Sequence, residues 1–389
     1  MHMARNNWEP FVYQRLTELI EHFQQPAHTA IEDRSYVVFD FDNTSAIGDV
    51  EDNLMMYFLE HLAYRLEPAA LLKIMTTGPF DFDSPIDSKR PKLTLRNLAK
   101  DVNSQYIWLY EQYIQGASST LSEIKQSEQY HDFSAKIRFY YKWVNSNLQR
   151  IAGEPWLTYW FIGYTPEELI DITRKMLKEA LAQTIEVKQM KSSPNYPGEA
   201  GVVETNFIAG LSFPEELLDL YAAFQQANID TYVVSASPID VVRTAATEFG
   251  YNVPYDQVIG MRYTLNEQGT IEAQMATDTF ITKQAGKSEA ITALIATRHQ
   301  NRQPIALFGD SMGDYHMMRQ FSDVKLNVLF NCYHQDDTQQ LVKEAIDVFN
   351  QANARFVLQG RDENIGSLRP SQATIPIEST QEVLYADSQ

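Results

Sequence analysis

Short, unbroken apolar runs alternate along much of this chain with stretches of helical period. Tyr36-Val37-Val38-Phe39, Thr231-Tyr232-Val233-Val234 and Ile305-Ala306-Leu307-Phe308, apolar or β-branched at consecutive positions, each predict a core strand, and a further strand is expected near Lys325 to Phe330. Leu217, Leu218, Tyr221 and Phe224 predict a helix before the second run, and another is expected from Ser288 to about Thr297 before the third. Strand and helix in alternation describe the crossovers of a parallel sheet. Ser237-Pro238-Ile239-Asp240 is placed to cap the helix after the second run, with Gly250 to end it, and Tyr263 to Ala273, broken by Asn266-Glu267-Gln268-Gly269, predicts a hairpin. The fold class expected is α/β, a doubly wound, mostly parallel sheet.

The long stretch between Thr44 and Thr231 reads mainly as helices. Leu54, Tyr57, Phe58 and Leu62 fit one, residues near 121 to 149 another, and Thr165-Pro166-Glu167-Glu168 opens a third with an N-cap, a proline at N1 and an acid at N3. The expected division is a discontinuous core of residues 34–48 and 206–350, a separate helical cap over 49–205, an N-terminal helix within 1–33 and a carboxyl-terminal tail over 351–389, polar past Phe356 and loosely docked over about its last twenty residues.

With 389 residues and 44% hydrophobic content, the chain can bury a sizeable core and fill a second lobe. It has 32 Lys plus Arg against 51 Asp plus Glu, a net charge of −19, which argues against nucleic acid or anionic membrane partners. Cys332 is the only cysteine, the amino terminus lacks the apolar core of a signal peptide, and no run reaches the roughly 20 apolar residues of a membrane span, so a cytoplasmic address is expected.

Candidate chemistry gathers at the ends of the apolar runs, where open α/β sheets place their ligands. Asp40-Phe41-Asp42-Asn43-Thr44 follows the first, Ser235 ends the second, Lys287 lies in Gly286-Lys287-Ser288, and Asp310-Ser311-Met312-Gly313-Asp314 follows the third. The pleat points Asp40 and Asp42 to the same side. Asp40 is the expected nucleophile, giving an aspartyl phosphate, and Asp42 the group that protonates the leaving oxygen and later deprotonates water. A lone Asp-x-Asp is also a common turn acid; the other segments decide the reading. Asp310, with Asp40 and a carbonyl at Asp42, makes an oxygen-rich site of the kind Mg²⁺ prefers. Asp314 is expected to support that site or to orient Lys287, an ordinary helix-start acid being the plainer alternative. Ser235 with its neighbouring amides, including that of Ala236, and Lys287 are the expected phosphate holders. Lys287 is preferred to Lys283 because Gly286 permits close backbone approach and the residue begins an amphipathic helix. His61 and His316 are assigned to packing or surface, and Cys332 to a small buried position.

These motifs resemble the haloacid dehalogenase superfamily and its phosphatases in particular, over residues of about 34 to 48 and 206 to 330. The resemblance implies Asp40 as nucleophile, Asp42 as acid/base, Thr44 as a structural residue of the first motif with Ser311 supporting the last, Ser235 and Lys287 on phosphate, Asp310 with Asp314 as the Mg²⁺ acids, and a small phosphate ester as substrate. An insertion directly after the first motif is similar to the phosphoserine phosphatase-like branch. The cap's size and Ser235-Ala236-Ser237 look more like phosphorylcholine phosphatase.

Asp49, Glu51 and Asp52 stand just past the nucleophile, and the cap holds Tyr140, Tyr141, Trp143, Trp156, Tyr159 and Trp160. Acids and aromatic faces together suit an ammonium group, with Glu51, Asp49, Trp156 and Trp160 as candidates, although aromatics at helical spacing more often form core. Three other readings use the same core: a phosphotransferase, a phosphoserine or sugar phosphate phosphatase, and a non-catalytic binding module of the same fold.

Overall fold

The computed structural model describes residues 3–116, 118–147 and 161–385. Six parallel strands form the central sheet: β1 (Tyr36–Phe39), β2 (Asp230–Pro238), β3 (Val258–Met261), β4 (Ala306–Gly309), β5 (Leu326–Phe330) and β6 (Phe356–Gln359). Their order across the sheet is β6-β5-β4-β1-β2-β3, so the chain winds outward in opposite directions from the β1/β4 neighbours. That reversal opens a crevice at the carboxyl ends of β1 and β4.

The apolar runs lack alternation because both faces are covered. Val37 and Phe39 join the cluster holding Leu217, Tyr221 and Phe224, whereas Tyr36 and Val38 join the opposite one holding Ile291, Ile295, Met317 and Leu341. The helix Pro10–Phe23 settles on the first face: Trp8 packs on Phe330, and the Glu9 amide donates to Gln359 Oε1 at 2.9 Å. The amino-terminal helix thus braces the sheet. Among the described residues no helix is long and apolar enough to cross a membrane.

The insertion is built on the helices Val50–His61, Pro68–Met75, Leu95–Leu109, Glu128–Asn147 and Pro166–Ala182. Thr165 and Glu168 form the expected capping box. Two features differ from the separate, mainly helical lobe that the sequence predicts. Antiparallel pairs Pro85–Asp87 with Arg90–Thr94, and Glu186–Lys191 with Glu204–Ala209, lie within it; the second pair runs across the expected boundary at 205. Nor does the insertion keep a core to itself, since Leu54, Phe58, Tyr106 and Phe133 belong to the cluster that lines one face of the sheet. Its two connections to the sheet hold each other, with Ile47 and Ser212 exchanging amide-to-carbonyl bonds of 2.9 and 3.0 Å. Gly48 sits beside that bridge at φ +101°, where a Cβ would come within 2.8 Å of Leu211.

The described residues of the carboxyl-terminal stretch, up to 385, are not a loose tail. Phe356–Gln359 is the edge strand β6, and beyond it Asn331 Nδ2 donates to the carbonyls of Gln372 and Leu384 at 3.0 Å each. Polar side chains there bond backbone carbonyls of the sheet's end, so their polarity does not mean exposure.

Candidate active site

β1 delivers Asp40 into the crevice, its amide donating to the Phe308 carbonyl of β4 at 3.0 Å. The chain then turns sharply at Asn43, which adopts the left-handed region at φ +56°. Ser45 Oγ closes the turn onto the Asp40 carbonyl at 2.7 Å. Asp42 is held at both oxygens: Oδ1 accepts from the Val50 amide at 2.7 Å, and Oδ2 from Ser237 Oγ at 2.6 Å. Val50 is the first residue of the insertion's leading helix, so this carboxylate joins the loop after β1 to the insertion. Ser237, expected as a helix cap, ends β2 and serves Asp42 instead.

Lys287, at 2% exposure, ties the site together by donating to Asp40 Oδ1 and Asp314 Oδ1, each at 2.7 Å. Asp314 in turn accepts the Asp310 and Ser311 amides on Oδ2 at 3.1 and 3.3 Å, fixing the loop after β4. A Cβ at Gly309 would lie 2.6 Å from Asp314, so only glycine permits that approach. Thr44 Oγ1 donates to Asp310 Oδ1 at 3.2 Å. Ser235 Oγ accepts the Ser237 amide at 3.1 Å, and Thr282 Oγ1 holds the Ser235 carbonyl at 2.5 Å.

The charges are unevenly balanced. Burial, then the Asp314 charge, pushes the Asp40 carboxyl well above its ordinary range against the pull of Lys287, and burial likewise raises Asp314. Burial lifts Asp42 to about 6 despite the bonds from Ser237 and Val50. Burial also acts upward on Asp310, but the hydrogen bond and charge of His334, with the charges of Arg361 and Lys287, hold it below the usual value. Burial pulls Lys287 down, and the Asp314 and Asp40 carboxylates outweigh it. Oxygens of Asp40, Asp310 and Asp314 lie within 4.8 Å of one another. Three buried carboxylates facing one ammonium leave a deficit of positive charge, and a divalent cation that prefers oxygen would relieve it.

Four residues beside this group were not anticipated as part of it. His334 Nε2 lies 3.1 Å from Asp310 Oδ2, Cys332 Sγ lies 3.6 Å from the same oxygen, Arg361 donates to the Asn43 carbonyl at 2.6 Å, and Ser237 meets Asp42 as described. The single cysteine was the one sequence signal available for the first pair. Arg361, in the expected tail, gave none.

The cap candidates divide. Glu51 is buried, 3.4 Å from the Tyr141 hydroxyl. Asp49 caps the leading helix by accepting the Asp52 amide at 2.8 Å, and its carboxyl is pushed well up by burial and then by the Asp42 charge. Asp52 is engaged by Arg138 at 2.7 and 2.6 Å, and that guanidinium lies over the Tyr141 ring. The Tyr140 hydroxyl is spent on the Met75 carbonyl and its ring is core, whereas Trp143, half-buried, packs against Phe80 at the core's edge. Trp156, Tyr159 and Trp160 lie outside the described residues. His61 pairs with Glu179 at the surface.

A family model described as haloacid dehalogenase-like hydrolase matches residues 152–319. That span contains Ser235, Lys287, Asp310 and Asp314 and leaves out Asp40 to Thr44, which the insertion separates from them. Over that stretch the chain is similar to hydrolases of that family. A conserved, functionally unknown protein from Anaerococcus prevotii is similar in structure over 96% of this chain and 98% of its own, at 25% identity and a TM-score of 0.83. A protein of unknown function from Bordetella pertussis (13% identity, 84% and 98% covered, TM-score 0.42) and a phosphoserine phosphohydrolase-like protein from Francisella tularensis (10%, 78% and 90%, 0.35) are more distant. No curated protein matches.

Proposed function

We propose that the chain is a Mg²⁺-dependent phosphomonoesterase that works through an aspartyl phosphate on Asp40. The observation that carries this reading is the single Lys287 ammonium bonded to both Asp40 and Asp314, with Asp310 in the same buried group. Asp40, Asp310 and the Asp42 carbonyl would hold the Mg²⁺, which when bound offsets phosphate charge during transfer. An Asp40 oxygen attacks phosphorus in line with the leaving oxygen. Lys287 and Ser235, with the amides after it, hold the other phosphate oxygens. Asp42, protonated, gives its proton to the departing alkoxide; ionised, it takes one from the water that then opens the acyl phosphate. A carboxyl at about 6 is suited to both jobs near neutral pH.

For the leaving group we propose a small ammonium-bearing alcohol, with phosphorylcholine or a related amino-alcohol phosphate as best guess. Glu51, buried one residue into the cap's leading helix, and Asp49, whose carboxyl feels the Asp42 charge, support it. Both acids adjoin the nucleophile loop, where a cationic leaving group would be drawn in. The test is Mg²⁺-dependent phosphate release from phosphorylcholine, phosphoethanolamine, phosphoserine, sugar phosphates and nucleotides, with Asp40→Asn as blank. Release from Asp40→Asn equal to wild type would place the chemistry elsewhere. Preference for a sugar phosphate or nucleotide would remove the ammonium reading and keep the core one.

A further inference from the structure

We propose that Asp310, Cys332 and His334 form a second cation site, built for a borderline-soft divalent ion such as Zn²⁺ and competing with Mg²⁺ for the Asp310 carboxylate. Cys332 and His334 stand two residues apart just past β5, and Asp310 stands just past its neighbour β4. Parallel pairing brings the two loops side by side at the same end of the sheet. Sγ and Nε2 approach one oxygen, Asp310 Oδ2, at 3.6 and 3.1 Å, and the three ligand atoms lie within 4.8 Å of one another. Tetrahedral Zn²⁺, with bonds of about 2.3 Å to sulfur and about 2.0–2.1 Å to nitrogen and oxygen, sets its ligands about 3.3–3.6 Å apart, so little rearrangement is needed.

The phosphoryl chemistry uses neither the thiol nor the imidazole, and an oxygen-preferring Mg²⁺ site has no need of them. The chain's one cysteine nevertheless sits here. Access is also present: the His334 side chain is 35% exposed, whereas that of Asp310 is 6%. Arg361, the nearby cation, is paired with Glu363 at 2.9 Å, which offsets its repulsion of an incoming ion. On binding, Cys332 gives up its thiol proton and His334 the Nε2 proton it shares with Asp310, both to solvent, so they coordinate as thiolate and neutral imidazole and the protons released offset the charge of the incoming ion. Three protein ligands leave the fourth position to water or to a phosphate oxygen.

Occupation draws Asp310 away from Mg²⁺, so Zn²⁺ inhibits turnover; this consequence rests on the phosphatase reading, whereas binding does not. The test titrates Co²⁺ alone into the full chain in Mg²⁺-free buffer and follows the thiolate-to-cobalt charge-transfer band in the near ultraviolet, then displaces Co²⁺ with Zn²⁺. A band that saturates at one ion per chain, disappears in Cys332→Ser and weakens in His334→Gln is the expected result. Cobalt binding without that band, or an unchanged spectrum in Cys332→Ser, overturns the site. Cys332→Ala serves if the serine variant does not fold. In a second arm, Zn²⁺ inhibition of phosphate release is expected to need about 10-fold or more Zn²⁺ in the cysteine variant; equal inhibition of both proteins overturns the competition. A wild type with no phosphatase activity leaves the cobalt arm to decide.

Discussion

Asp42 illustrates how one carboxylate acquires three jobs from its neighbours. Its bond to Val50 starts the cap helix, its bond to Ser237 reaches β2, and burial lifts it to about 6. If it is the acid in the first step, kcat/KM declines as pH rises past about 6, while hydrolysis of a trapped aspartyl phosphate needs the ionised form and speeds up over the same range. Asp42→Asn is expected to lower kcat by roughly 10²–10⁴-fold and to erase that titration from the pH profile. Ser237→Ala gives a sharper test. The serine's hydrogen bond holds Asp42 down, so its loss moves the declining limb of kcat/KM to higher pH, and an unmoved limb would assign the titration to another group. Ser237 was misplaced at the sequence level because Ser-Pro before an apolar helix is a sound cap signal; only the parallel pairing of β1 and β2 reveals that Asp42 outcompetes the cap.

At the scale of elements, the carboxyl-terminal strand β6 does more than close the sheet. It covers β5, offers Gln359 to the Glu9 amide and leads to Arg361 under the turn at Asn43. Ending the chain at Gln351 would bare a long parallel edge and remove the partner of the amino-terminal helix, so the truncated protein is expected to lose its cooperative thermal transition by circular dichroism. Arg361→Met is milder. It removes the guanidinium from Glu363, which keeps the Ile377 amide at 3.3 Å, and from the Asn43 carbonyl, which keeps the Cys332 thiol at 3.7 Å. Losing one partner of a fully buried pair costs about 3–5 kcal/mol, and less is expected here because Glu363 keeps that bond and some contact with water, to be read as a lowered melting temperature together with reduced phosphate release. The sequence hides this element because β6 is short and its flanks are polar, and polar side chains that bond buried carbonyls look like solvent-exposed ones.

Across the whole molecule, the fold gathers acids from distant parts of the chain and leaves them short of positive charge. Asp40, Asp314 and Asp49 are all raised, with burial as the first cause, and Asp42 reaches about 6. A carboxyl raised in the folded state keeps a proton that the unfolded chain releases. Its stabilisation is therefore present below the unfolded value and lost as pH rises through the folded one. For Asp42 that window runs from the ordinary 3.8 to about 6. A divalent cation substitutes for the missing protons, so Mg²⁺ is expected to raise the melting temperature more at pH 8 than at pH 5. An equal shift at both pH values would separate cation binding from these carboxylates.

The parallel α/β core was legible in the apolar runs, because strands covered on both faces can be apolar at consecutive positions, and three of the four motif segments were legible because each ends or follows such a run, whereas Lys287 stood out only through Gly286 and the helix it begins. Residue spacing also placed Thr165 in its capping box, a contact made within one turn of helix. What required the tertiary structure was whatever depends on which strands become neighbours: Lys287 between Asp40 and Asp314, Ser237 on Asp42, Cys332 and His334 on Asp310, and Arg361 beneath Asn43. These pairs lie far apart in sequence and share no local pattern. Local periodicity determines strands and helices, but the order β6-β5-β4-β1-β2-β3 determines which loops meet, and it is set by long-range burial that no single segment encodes.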